Sequence, residues 1–247
     1  MKKITQIISY PLTIIFFLLF GLFLLVFDLL QRICFYIFGY QAHKKSVDIF
    51  NGITVLLLKI LFGTKFTITD NSNIPQDVPI ILVSNHQSMW DISPIIWYFR
   101  KLHPKFISKE ELGKGIPTIS FNLKKGGSVL INRKDRDQAV HQLQNFATYL
   151  KKHHRTGVLF AEGTRSHNNQ MKAFKTGGLT TLIENMQGAY IIPLSIVNSW
   201  KLQRYGSFPI PMGVHYKMIA HPAIKITNQP IPELIQVLET TVRNGIS

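Results

Sequence analysis

A chain of 247 residues has room for one α/β domain with an appendage. Its 28 Lys and Arg against 13 Asp and Glu give a formal charge of +15, which implies an anionic partner: nucleic acid, anionic lipid or a phosphorylated substrate. The 46% apolar content weighs against nucleic acid and for a membrane surface, and a single cysteine, Cys34, excludes an internal disulfide.

At the N-terminus, residues 10–27 (YPLTIIFFLLFGLFLLVF) carry no charge, and between residues 4 and 30 only Asp28 is charged. About 20 apolar residues cross a bilayer core, so the run is long enough. Lys2 and Lys3 resemble the start of a signal peptide. The apolar run outlasts a usual one, however, and QRICFY after it has no small-x-small cleavage site. An uncleaved anchor is expected. Residues 47–62 place Ile49, Phe50, Ile53, Leu56, Leu57, Ile60 and Leu61 at helical spacing, with the polar stretch QAHKKS (41–46) as the turn before them. Two arrangements remain open: a spanning helix followed by an interfacial one, or a helical hairpin dipping into one leaflet. Basic residues flank the first segment on both sides, so charge alone does not orient it. The expected division is a membrane-associated helical segment at 1–62 and an α/β domain at 63–247.

Beyond Gly63, short apolar runs alternate with helical ones. KFTIT (65–69) alternates as a strand does, and 70–77 is turn-rich. VPIILV (78–83) ends abruptly in polar residues, as a short buried strand does. Ser88 and Asp91 then precede an apolar helix at 92–99. His86 therefore falls where a strand hands over to a helix, at the sheet edge where parallel α/β folds hold ligands. Asp91 follows five residues on, within reach if the chain turns helical at once. A neutral histidine beside a carboxylate is a general base held in one tautomer. With nine His and seven Asp in the chain, chance supplies such a spacing in about one chain of four, so the pair alone is weak. His43 and Asp48 repeat the spacing, but in the polar connector with no strand before them. They read as a solvated or interfacial loop. For His86 alone, a strand-end histidine bonded to nearby backbone is the alternative.

Residues 105–108 form a possible short strand, and Gly113, Gly115 and Pro117 bend the chain after it. Gly126 and Gly127 precede a strand at 128–131, which ends in Asn132 and Arg133. Residues 135–153 read as a helix, 158–160 as a strand, 179–186 as a helix and 190–197 as a buried strand containing Pro193. Strands at 214–220 and 224–227 and a helix at 232–242 complete the chain. The alternation predicts an α/β fold, a mostly parallel sheet flanked by helices. VLFAEGTRS (158–166) repeats the logic of the His86 stretch. Gly163 permits a tight turn, and Arg165, with free backbone N–H groups near it, can hold a phosphate bidentately. Lys172 and Lys175 lie just beyond. A surface ion pair between Glu162 and Arg165 is the plainer alternative, as is a solvated strand-end role for Arg133.

NHQSMWD, GGSVLINR, FAEGTRS and IIPLS, in that order and at these intervals, resemble the four blocks of the glycerolipid acyltransferases. The most similar branch is the 1-acylglycerol-3-phosphate acyltransferases, which make phosphatidic acid. The resemblance covers roughly residues 65–222, and the hydrophobic N-terminus suits the bacterial members. It implies His86 as catalytic base and Asp91 as its partner. It implies Arg133, Glu162, Gly163, Thr164 and Arg165 as ligands of the phosphorylated acceptor, and Ile192 and Pro193 on the acyl-donor side. Asn132, Ala161 and Ser120 depart from the usual Asp, Pro and Gly of the family's pattern, and bear on which acceptor is preferred.

The same resemblance implies lysophosphatidic acid as acceptor and acyl-CoA or acyl carrier protein as donor, with no cofactor, metal or nucleic acid. It also implies membrane association with the catalytic domain on the cytoplasmic face, at the inner membrane in a bacterium. The sequence lacks a G-x-S-x-G elbow, so no acyl-enzyme is expected. Other acceptors (glycerol 3-phosphate or another lysophospholipid), a membrane-anchored hydrolase, and a non-enzymatic basic membrane-binding protein are the alternatives.

Overall fold

The computed structural model describes residues 2–168 and 170–246, the side chain of Lys2 excepted. Helix α1 (Lys2–Phe62) is interrupted once, at Gly39, whose φ of 79° and ψ of −170° are open to glycine alone. Ring contacts pair Phe16 with Phe62, Phe20 with Phe50, Phe27 with Phe50 and Phe35 with His43. Each pair straddles Gly39, so the two arms of α1 lie side by side. The turn is at Gly39, not at QAHKKS as expected, and 41–46 is helical. Those polar residues face the protein: Lys44 donates to the Arg100 carbonyl (2.7 Å) and pairs with Asp48 (2.5 Å). His43 is only 1% exposed, which corrects the expectation of a solvated loop.

The remaining elements follow in order: β1 (Lys65–Asp70), β2 (Ile80–Ser84), α2 (Ile92–Tyr98), β3 (Pro104–Lys109), α3 (Ile119–Lys125), β4 (Val129–Ile131) and α4 (Arg136–His153). Then come β5 (Thr156–Phe160), α5 (Thr176–Asn185), β6 (Tyr190–Val197), β7 (His215–Ala220), β8 (Ile224–Lys225) and α6 (Ile231–Asn244). The sheet order is β1-β7-β6-β2-β5-β3-β4, with β8 also on β6. Strands β4, β3, β5, β2 and β6 are parallel, as the alternation predicts. The pair β1 and β7 runs the other way, antiparallel to β6. A parallel return needs a long crossover. The 198–214 connection holds only a short 3₁₀ helix and turns, so β7 folds straight back.

Strand β2 is buried along its whole length and splits the core by alternation. Ile81 and Val83 point to α4, α5 and α6, among Phe146, Leu150, Leu182 and Leu238. Ile80 and Leu82 point to α1 and α2, among Phe16, Leu58, Phe62, Trp90 and Ile95. The helical segment therefore shares a core with the sheet. Pro193 sits inside the buried β6, where a missing N–H would normally cost a ladder bond. Its carbonyl accepts from His221 N–H (2.9 Å), on the side where β8 pairing ends and β7 pairing begins, so the missing donor faces that seam.

Candidate active site

Strand β2 ends at Ser84, and the next residues leave the sheet at its C-terminal edge. Asn85 fixes the exit: its side chain accepts from Ile196 N–H (2.7 Å) and donates to the Ile196 carbonyl (2.9 Å). Ser88 caps the short 3₁₀ turn Met89–Asp91, and that turn swings Asp91 back beneath the imidazole. His86 Nδ1 lies 2.8 Å from Asp91 Oδ2. The same oxygen accepts the N–H groups of Gln87 (2.8 Å) and Ser88 (3.0 Å), which suits an acceptor-only carboxylate. Asp91 is fully buried. The imidazole stacks on Phe160 at the end of β5, with centroids 4.0 Å apart and planes 14° apart. With Nδ1–H donated to Asp91, the lone pair is on Nε2.

Strand β5 brings the second stretch alongside. Glu162 is 1% exposed. One oxygen accepts His86 N–H (2.8 Å) and the other accepts Lys172 N–H (2.7 Å). Burial pushes its carboxyl above the ordinary range, while these bonds oppose the rise. Both oxygens are thus committed to backbone, and Glu162 holds the loop rather than facing a ligand, contrary to the acceptor-binding role expected for it. The Ser166 N–H and hydroxyl close the ring by donating to the His86 carbonyl (2.7 and 3.1 Å).

Gly163 turns with φ 70°, and a Cβ there would lie 2.9 Å from Lys175 Cδ. Arg133, at the end of β4, donates through Nη1 to the Gly163 carbonyl. Lys172 Nζ donates to Thr164 Oγ1 and to the Arg165 carbonyl, both at 3.0 Å. Thr164 and Arg165 are exposed on this turn. Four cations, Arg133, Arg165, Lys172 and Lys175, therefore surround or belong to one turn that abuts the His86 backbone. Ile192 and Pro193 lie opposite Leu82 and Val83 in register. Ile192 is fully buried in the core shared with α1, so it packs within the fold and does not face an open groove. His43 and Asp48 form no bond with each other; Asp48 is paired with Lys44.

Residues 65–197 match the Acyltransferase family model. The chain belongs to the Acyltransferase family. It is 31% identical over 161 residues to a chloroplastic 1-acyl-sn-glycerol-3-phosphate acyltransferase of Arabidopsis thaliana, covering 65% of this chain and 44% of that protein. It is 28% identical over 140 residues to the 1-acyl-sn-glycerol-3-phosphate acyltransferase of Borreliella burgdorferi, covering 56% and 54%. The chain thus spans about half the length of these relatives. The crystal structure of the 1-acyl-sn-glycerophosphate (LPA) acyltransferase PlsC from Thermotoga maritima shares its fold, with a TM-score of 0.78. That match covers 99% of this chain and 96% of the other at 23% identity.

In this family member several residues around the His86–Asp91 pair have no local signal in the sequence. Tyr216 on β7, wholly buried, reaches the second oxygen of Asp91 (3.5 Å). Burial, and then the nearby Asp91 charge, push its hydroxyl well above the usual tyrosine range. Gln203 Oε1 accepts from Ser88 Oγ (3.1 Å) and Met89 N–H (2.9 Å). Gln87 Oε1 accepts Ser199 N–H (3.1 Å). These partners lie more than 100 positions away in the chain, beyond any motif window.

Proposed function

We propose that the chain transfers a fatty acyl group from acyl-CoA or acyl carrier protein to the sn-2 hydroxyl of 1-acyl-sn-glycerol 3-phosphate, giving phosphatidic acid. The observation that carries this reading is the His86 Nδ1–Asp91 contact at 2.8 Å beside a turn ringed by four cations. The acceptor hydroxyl is far too weak an acid to ionise near neutrality, so it needs a base. Nε2 of His86 takes its proton as the oxygen attacks the thioester carbonyl. Asp91 stabilises the imidazolium that forms. The tetrahedral intermediate collapses with loss of the thiolate, which takes the proton back from His86. Arg133 and Arg165 grip the acceptor phosphate, where a planar guanidinium matches its oxygens. Glu162 holds the backbone of the base in place.

The membrane part of the reading rests on α1, the one helix among the described residues long and apolar enough to cross a bilayer. Its first arm buries Ser9, Thr13, Phe16, Phe27 and Gln31 against the domain, while Leu18, Leu22, Leu25 and Leu29 are 54–69% exposed. A helix held to the domain along its length cannot project away from it. We therefore propose a two-helix segment, residues 1–62, lying in one leaflet, with the catalytic domain, 63–247, on the cytoplasmic side where soluble acyl donors reach it. Basic residues near the surface add roughly 1 kcal/mol each on anionic headgroups.

The test is an acyl-transfer assay of the purified protein with several lysophospholipids and glycerol 3-phosphate, products identified by mass spectrometry. Phosphatidic acid formed fastest from the lysophosphatidic acceptor supports the proposal. Thioester loss without lipid product makes the protein a hydrolase, and a preference for another acceptor reassigns the substrate.

A further inference from the structure

The 198–214 connection between β6 and β7 joins two surfaces. At its outer end Tyr205 and Phe208 are each 44% exposed. Phe208 meets Tyr10 of α1 edge-on, with ring centroids 5.4 Å apart. Ile7, Tyr10 and Ile14, at helical spacing, are 67%, 41% and 53% exposed, so Phe208 extends the apolar face of α1. The segment is tied to both arms of that helix: Ile210 N–H donates to Thr13 Oγ1 (2.9 Å) and Gly213 N–H to the Phe62 carbonyl (2.7 Å). Beside the aromatic pair stand two cations over Trp200, Arg204 at 5.4 Å and Lys201 at 5.8 Å from its ring. At its inner end Gln203 and Ser199 hold the catalytic turn through Ser88, Met89 and Gln87.

We propose that residues 200–208 are a second lipid contact, seating Tyr205 and Phe208 in the headgroup layer of an anionic bilayer and holding the turn that carries His86 over a lipid acceptor. It rests on the reading of α1 as membrane-seated. Aromatic rings with a polar tip prefer the headgroup level, and Lys and Arg reach past them to phosphates. Continuity with the α1 face and the +15 charge of the chain select an anionic bilayer over a protein partner.

The test uses the full chain in a Cys34→Ser background with single spin labels at Leu22→Cys, Phe208→Cys and Lys152→Cys. Label depth is measured on phosphatidylglycerol–phosphatidylcholine vesicles. Labels at 22 and 208 immersed and the label at 152 in water are expected. Immersion at 22 with 208 in water overturns the second contact and leaves α1 in the membrane. Water at both overturns the seating of α1, and this contact with it. Immobilisation of the label at 208 by a second copy in lipid-free solution, and not by vesicles, also overturns it.

As a functional arm, the double variant Tyr205→Ser, Phe208→Ser should raise KM for vesicle-borne acceptor about tenfold, since apolar area leaves the interface. Its kcat/KM for a dissolved short-chain acceptor should not change. Equal loss on both substrates means a purely structural role and overturns the proposal.

Discussion

The ring of His86 is held on three sides: by Asp91 at Nδ1, by Phe160 across its face, and by Glu162 through its own backbone. Each contact has a different expected signature. Removal of a general base costs about 10²- to 10⁴-fold, so His86→Ala should reduce kcat by that range in the acyl-transfer assay. His43→Ala should keep most of the activity, because His43 is buried between Phe35 and Phe121 without contact to the site. Comparable loss in both variants would mean that the wrong histidine has been given the chemistry.

Arg133 and Glu162 should separate in kinetics. Arg133→Ala removes a charged donor from the turn and should raise KM for the phosphorylated acceptor about 10- to 100-fold. Glu162→Gln points an amide N–H₂ at one of the backbone donors on either side. It should lower kcat and cost about 1–3 kcal/mol of stability with little change in acceptor KM. A change confined to KM in Glu162→Gln would return that residue to ligand binding.

At the scale of elements, α1 decides how the domain meets its lipids. Its inward stripe ends in an aromatic cluster in which Phe16, fully buried, touches Phe62 and Trp90 at 5.6 and 5.2 Å. Trp90 belongs to the turn between His86 and Asp91's helix, so the seating of α1 and the seating of that turn are mechanically joined. Phe16→Ala should cost about 3–5 kcal/mol by denaturant titration in mild detergent. It should also lower kcat through the loosened turn. A loss of less than about 1 kcal/mol would show that the first arm is only loosely docked.

At the scale of the whole molecule, the opposite edge of the sheet carries a charge in the wrong solvent. Lys105, at the start of β3, is 6% exposed, and burial, with Arg155 and Lys44 nearby and Asp48 opposing, holds its ammonium down to about 7 from the ordinary 10.5. Between those values the unfolded chain keeps the proton that the folded chain has released, so stability should rise with pH across that window and be lowest below it. Lys105→Met should be more stable than the parent at pH 7 and should flatten the rise, read as the denaturant midpoint from pH 6.5 to 9. An unchanged slope would show that the ammonium is solvated.

Local composition and periodicity determined the elements, the α/β class and the two strand-end stretches, because apolar alternation and polar interruption are properties of neighbours in the chain. The helical course of 41–46, the bend at Gly39 and the reversed β1 and β7 pair were decided by tertiary packing. A polar stretch reads as a turn until Lys44 finds the Arg100 carbonyl and Asp48. Likewise, Glu162 reads as a ligand-facing acid until β5 settles beside β2 and its oxygens meet His86 N–H and Lys172 N–H. Residue type and spacing carry the chemistry a side chain can do. Which partner satisfies it depends on strands and loops far apart in sequence, and a buried polar group takes whatever donor the fold delivers.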